Sequence, residues 1–260
     1  MNSIFKSENY RFLKSKEMKA MAVIALLFNI AGSVIMWFVM HNNFFSELLG
    51  EDLSFFKAAS FLDTFPDSAT DFIFGIMLLI MTSSLIIRLY QSGVVKQLVS
   101  SGISRSQVIS GQFLSLTLFF SVIALMVSLV QGIGNLILGG GFGLTEGTLL
   151  RLLLATAGMI LTVANFVALY MLIAHLTSSM AGSIVINMLI EMASSTGVMY
   201  LARVFKCQAI NRYYFINLRE DVISMTGELS SQLKSMGILL IYTLVFFFLC
   251  QLVFSRKEIK

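Results

Sequence analysis

The sequence predicts an all-α, polytopic membrane protein: six transmembrane helices preceded by an N-terminal amphipathic helix, with a short cytoplasmic helix between the second and third spans. Three observations predict it. Of 260 residues, 57% are hydrophobic and 12% charged, with a single proline and a mean hydropathy of +0.86, whereas a soluble domain carries about 25% charged residues. The apolar residues fall into six runs, near 20–40, 71–90, 112–138, 152–174, 181–202 and 236–254. Each is long enough to cross about 30 Å of hydrocarbon as a helix. Lys and Arg gather beside alternate ends of these runs, the asymmetry that orients a membrane protein.

This composition excludes a water-soluble globule. The stretches between spans are too short for an ATPase or any other sizeable soluble enzyme, so any energy source must be another chain or an ion gradient. The net charge of +4 reflects orientation, since no basic face interleaved with aromatics exists outside the apolar runs, and a nucleic-acid partner is not expected. Cys207 falls in a polar loop and Cys250 deep in the last run, beyond the roughly 7 Å that a disulfide bridges.

Residues 1–19 place Ile4, Phe5, Phe12 and Leu13 on one helical side and Lys6, Arg11 and Lys14 mostly on the other. That pattern predicts an amphipathic helix on the inner membrane surface, serving as a basic anchor or as a docking surface. Met21 to Met40 exceeds the h-region of a signal peptide, about 7 to 15 residues, and reads as a retained first span. Lys6, Arg11, Lys14, Lys16 and Lys19 precede it, Arg88, Lys96 and Arg105 flank spans two and three, and Arg256, Lys257 and Lys260 end the chain. Together they predict a multi-pass protein of the cell membrane with both termini cytoplasmic, the last from the tail at 256–260. Glu47, Glu51, Asp52, Asp63, Asp67 and Asp71 oppose Lys57 alone after the first span, as expected of an external loop. The segment from Arg203 to Lys234 resists the rule: Arg203, Lys206, Arg212, Arg219 and Lys234 outnumber Glu220, Asp221 and Glu228.

Between spans two and three, Val94, Val95, Leu98 and Val99 repeat at i, i+1, i+4, i+5 and form one apolar side of a short helix. Gly102 stands where a residue past a helix end adopts positive φ, and Ser104 with Gln107 has the spacing of a capping box. Helix, sharp turn, helix is the prediction. The second of these helices runs from Arg105 to about Leu138, roughly 51 Å, longer than the bilayer is thick. A short helix held rigidly against a long span is either a lever or an ordinary corner between spans.

Six spans, the Gly93 to Gln112 segment with its Gly-Ile-Ser-Arg turn, a longer external segment before the last span, and the ending Phe254-Ser255-Arg256-Lys257 resemble an ABC-2 type transporter permease. The resemblance implies that the short helix is a coupling helix docking on a separate ATP-binding subunit, through Gly93, Lys96, Leu98, Gly102, Ser104 and Arg105. Gln91, Ser92 and Gln112 depart from the family pattern, which often has an acidic residue before the glycine and a basic one at the last position. The implied assembly is two ATPase copies with two permease copies, or a permease and a homologue, in membrane lipid. ATP and Mg²⁺ would be used by the ATPase; this chain would bind no cofactor and catalyse nothing itself. The cargo implied is a peptide, an antibiotic or a lipid-like molecule, moved outward.

Glu191 lies near the centre of the fifth run, where an ionised carboxylate costs at least a few kcal/mol and must face protein or water. Asn29 and Asn165 fall at similar depth, and Asn187 is one turn from Glu191 on the same side. These four form a candidate polar belt, either interhelical glue or a translocation path. Family resemblance places Asn29 and Glu191 at a dimer interface between first and fifth spans. The alternative function is a gradient-driven carrier using Glu191 as its ion or proton site.

Gly132, Gly134, Gly139, Gly140, Gly141 and Gly143 suggest flexible turning at the end of span three rather than phosphate binding. The segment 205–232, with Tyr213, Tyr214 and Phe215, suggests short helices anchored at the interface, or a gate. His41 and His175 are isolated, so no metal site is expected, and no nucleophile constellation is present.

Overall fold

Long apolar runs without proline leave the backbone one way to satisfy its polar groups in lipid, the α-helix, and a computed structural model follows that rule throughout. The structure describes residues 10–11, 14–41, 61, 72–137, 141–143, 147–225 and 228–257. Among them the helices are α1 (Lys16–His41), α2 (Phe72–Gln91), α3 (Val94–Ser100), α4 (Arg105–Ile137) and α5 (Thr148–Thr177). They continue with α6 (Met180–Val204), α7 (Gln208–Arg212), α8 (Phe215–Ile223) and α9 (Leu229–Arg256). No strand occurs among the described residues.

Helices α1, α2, α4, α5 and α9 are long and apolar enough to cross a bilayer. Helix α6 meets that test as two segments, Met180–Met192 and Gly197–Val204, joined at 42°. The bundle thus holds five such helices, or six with α6 as one bent span. The N-terminal amphipathic helix and the acidic stretch after α1 fall largely outside the described residues, as do Gly139 and Gly140. Lys14 stacks over the Tyr10 ring at 4.6 Å.

Helix α5 is the axis. Its second half is buried almost continuously from Asn165 to His175, and α2, α4, α6, α8 and α9 all pack on it. Helix α1 instead leans on α4; among its described side chains it buries Met18, Met21 and Ala25 while exposing Val23, Ile24, Leu27, Phe28, Val34 and Ile35. A helix apolar all round with one side against protein requires an apolar solvent for the other. Leu240, Ile241, Leu244, Val245, Phe248 and Leu252 likewise form an exposed face of α9.

Two glycines of the cluster near the end of α4 pack rather than turn. A Cβ on Gly134 would lie 2.6 Å from the Ser33 hydroxyl of α1, and one on Gly132 would lie 2.6 Å from the Phe61 ring. Small residues at these points let the helices close up, the usual device where no water drives association. Gly143 keeps the expected turn role, with φ +72°.

Helix α8 approaches α5 more closely still. A Cβ on Gly158 would meet the Val222 carbonyl oxygen and lie 2.6 Å from its Cγ1. Gly158→Ala is therefore expected to lower the melting temperature in detergent, by the equivalent of about 1 to 3 kcal/mol of overpacking. Gly237→Ala in α9, with nothing within 4 Å of the added carbon, is expected to leave it unchanged or raise it. Equal melting temperatures for Gly158→Ala and the native chain would place α8 away from α5.

Candidate functional site

The structure presents two polar constructions, one at the end of the bundle that carries α3 and one at mid-depth. The first begins with the α2–α3–α4 corner. Gly93 at φ +69° starts α3 and Gly102 at φ +86° ends it, both in the left-handed region that a side chain disfavours. Gly102 N–H donates to Val99 O at 3.1 Å and Ile103 N–H to Leu98 O at 3.3 Å, the paired bonds of a Schellman ending. Helix α4 then opens on a reciprocal capping box: Gln107 N–H donates to Ser104 Oγ and Ser104 N–H to Gln107 Oε1, each at 3.3 Å.

This corner is tied to both neighbours. Arg105 Nη1 donates to the carbonyls of Phe254 at 3.3 Å, Ser255 at 2.5 Å and Lys257 at 3.0 Å. A cation on the carbonyl end of α9 satisfies acceptors that have no helical partner and meets the negative pole of the helix. On the other side, Arg88 at the end of α2 pairs with Glu17 in the first turn of α1. Both partners are exposed, so this pair is a guide more than a source of stability.

Of the sequence-assigned docking residues, Gly93, Lys96, Gly102 and Ser104 are exposed on one polar surface with Gln97 and Ser100. Leu98 is half-buried and packs with Val94 and Ile103 against the core, behind buried Val95. Arg105 is half-buried and occupied by α9. Leu98 and Arg105 therefore hold the corner in place rather than line its outer surface.

His175, which is isolated in the sequence, is not isolated in space. Its Nδ1 lies 2.6 Å from the Tyr90 hydroxyl, and its ring stands edge-on to Phe254 at 5.3 Å. Lys257 donates to the His175 carbonyl at 2.6 Å and to the Ser178 hydroxyl, and lies 4.4 Å over the Tyr90 ring. Burial pushes the Lys257 ammonium below its usual pKa. The side chain of His41 lies outside the described residues.

The second construction is at mid-depth. Sequence reasoning counted Arg219 among the loop charges, yet it is 2% exposed, buried with Phe215, Leu218, Val222 and Ile223 of α8. Its Nη1 donates to Glu191 Oε1 at 3.1 Å, its Nη2 to Asn165 Oδ1 at 3.0 Å, and its guanidinium covers the Phe166 ring at 3.5 Å. Asn165 Nδ2 donates to Thr243 Oγ1 at 3.2 Å, and the Tyr170 hydroxyl to Glu191 Oε1 at 3.3 Å. One chain of bonds thus joins α9, α5, α8 and α6.

The four residues of the candidate belt separate into three places. Asn165 and Glu191 meet, with Arg219 between them. Asn187 donates to Ser183 O on its own helix at 2.9 Å, and Ser183 Oγ shares a 2.8 Å bond with Ser83 of α2. Asn29 donates to Ala25 O on α1 at 3.0 Å. Helical spacing puts Asn187 beside Glu191 but says nothing about which neighbour each reaches. The only trace of Arg219 in the sequence was the basic excess in 203–234, which does not single it out from Arg203, Lys206, Arg212 and Lys234.

Helix α8 is a wedge between α5 and α9. Gln232 Nε2 donates to Val222 O at 2.9 Å and Arg151 to Met225 O at 2.5 Å, closing its C-terminal end against α9 and α5. Helix α7, by contrast, is exposed at most of its residues.

Among protein families, the one described as Protein of unknown function (DUF2705) matches residues 54–260. Comparison with curated proteins returns no match.

Taking one partner from a buried ion pair strands the other, at a cost of about 3 to 5 kcal/mol, whereas replacing both by apolar residues is often neutral. Glu191→Leu and Arg219→Leu are each expected to lower the melting temperature strongly, and the double variant to regain most of the loss. Additive losses in the double variant, measured by thermal unfolding in detergent, would rule out direct coupling between the two.

Proposed function

This chain belongs to the DUF2705 family, and we propose that it is the membrane subunit of an ATP-binding cassette exporter of the ABC-2 type. The observation that carries the reading is the rigid corner of α3. A seven-residue helix is bracketed by two left-handed glycines and a capping box, with a polar outer face of Lys96, Gln97 and Ser100. Few free torsions remain in it, so a load on α3 is delivered to α4 with little lost to bending.

Helix α4 is 33 residues long, about 50 Å at 1.5 Å per residue, and Arg105 joins its first turn to the end of α9. Displacing α3 therefore moves two long apolar helices together. A separate ATPase, two copies per assembly, grips the outer face of α3 and supplies ATP and Mg²⁺ chemistry; no P-loop sequence occurs in this chain. Both termini and α3 lie in the cytoplasm, α6 is counted as one span, and the protein resides in the cell membrane. The exposed α6 residues Val185, Met188, Leu189 and Met192 are where a second permease copy packs, close to Glu191. Cargo of peptide, antibiotic or lipid-like character moves outward.

Co-expression with a neighbouring ATPase gene is expected to yield a complex that survives purification. Lys96→Glu combined with Gln97→Glu is expected to weaken that complex at least tenfold while leaving the melting temperature of the isolated chain unchanged. Export that proceeds without any ATPase and is abolished by an uncoupler would overturn this reading in favour of a gradient-driven carrier in which Glu191 trades Arg219 for an ion.

A further inference from the structure

The basic segment that resists the orientation rule is divided by the fold. Arg219 enters the core, while Arg203, Lys206 and Arg212 line a cavity of about 670 Å³ where α6 meets α7, at the end of the bundle opposite α3. Neither Arg203 nor Lys206 has a side-chain hydrogen bond or ion pair among the described residues. Arg212 spends one donor on Ser231, at 3.2 Å. Lys206, at φ +51°, is the left-handed residue of the Schellman ending of α6, its N–H donating to Arg203 O at 3.2 Å while Cys207 N–H donates to Ala202 O at 3.0 Å, so the cation stands at a fixed point of the cavity wall.

A second cavity of about 560 Å³ adjoins the first and shares Met199, Asn211 and Arg212 with it. Its distinctive residues are Glu220 and Asp221. Asp221 accepts from Ser235 at 3.4 Å, and Glu220 has no side-chain partner among the described residues. The shared wall is held in place, since Asn217 donates to the Asn211 carbonyl at 2.6 Å and to its side-chain oxygen at 3.1 Å. The result is one cleft with Arg203 and Lys206 at one end, Glu220 and Asp221 at the other, and Arg212 in the wall they share. Beside the cationic end stand Tyr200, Leu201, Val204 and Phe205, each at least 47% exposed, at the end of a helix that is apolar for most of its length.

We propose that this cleft binds an amphiphile whose headgroup carries both a phosphate and a primary ammonium, as a phosphoethanolamine lipid does. Arg203, Lys206 and Arg212 take the phosphate, for which guanidinium forks and a lysine point charge are suited. Glu220 and Asp221 take the ammonium, which offers three donors. The apolar flank receives the acyl chains. A headgroup with phosphate alone leaves the carboxylates facing like charge, and a quaternary headgroup offers them no N–H. This inference rests on the protein being membrane-embedded and is independent of the ATPase reading.

The test is a thermal-shift and native mass spectrometry titration of the full chain in detergent with short-chain phosphatidylethanolamine. Phosphatidylcholine, phosphatidylglycerol, free phosphoethanolamine and inorganic phosphate serve as the other arms. Phosphatidylethanolamine is expected to bind at least fivefold more tightly than any of these and to raise the melting temperature accordingly. Arg203→Gln with Lys206→Gln is expected to remove that binding. Glu220→Gln with Asp221→Asn is expected to remove the preference over phosphatidylglycerol while keeping lipid bound. Indifference to headgroup, or a preference for phosphatidylglycerol in the native chain, would overturn the zwitterion assignment. Saturation by free phosphoethanolamine at the same concentration as the lipid would overturn the amphiphile assignment.

Discussion

A guanidinium removed from water must keep its charge and find acceptors for its N–H groups, and the rest of this bundle is arranged around one that makes four hydrogen bonds, from Nε, Nη1 and Nη2. Arg219 reaches Glu191 of α6 and Asn165 of α5 while lying flat on Phe166. No apolar contact could specify that position so narrowly, since Leu218 and Val222 would accept many rotations of α8 that Arg219 would not. The pair is weak evidence of net stability, because desolvating both charges consumes much of their attraction. Its effect is to select one arrangement: α8 inserted, α5 and α6 held at a set distance, and α9 drawn in through Thr243.

Packing follows from that insertion. Gly158 is the point on α5 where α8 can approach until its backbone touches, and Gln232 takes the Val222 carbonyl that α8 leaves unpaired at its end. Each is a local consequence of placing a short helix inside a bundle, where every exposed carbonyl must find a donor. Glu191, at 24% side-chain exposure, remains the edge of the network nearest the outer surface of α6.

The end that carries α3 is organised differently. There the contacts are between helix termini: Arg105 on the carbonyls of α9, Lys257 on the turn between α5 and α6, and Arg88 on the first turn of α1. Arg105 and Lys257 meet helix carbonyl ends and Arg88 meets the exposed Glu17 carboxylate, rather than buried partners, which leaves this end polar.

What could be read from the chain alone was whatever depends on spacing of a few residues. The apolar runs located the long helices, the i, i+1, i+4, i+5 repeat located α3, and Gly102, Ser104 and Gln107 sit within one turn of the groups they bond. Hydrogen bonds of that range are encoded by neighbours and survive whatever the rest of the molecule does. Tertiary structure decided which polar residues meet across helices. Arg219 and Glu191 are 28 positions apart, Tyr90 and His175 are 85 apart, and Asn187, though on the face of Glu191, turns to its own helix. Such pairings depend on how far helices approach and rotate, quantities set by the sum of many small contacts along α5. The periodicity of any single segment carries no record of them.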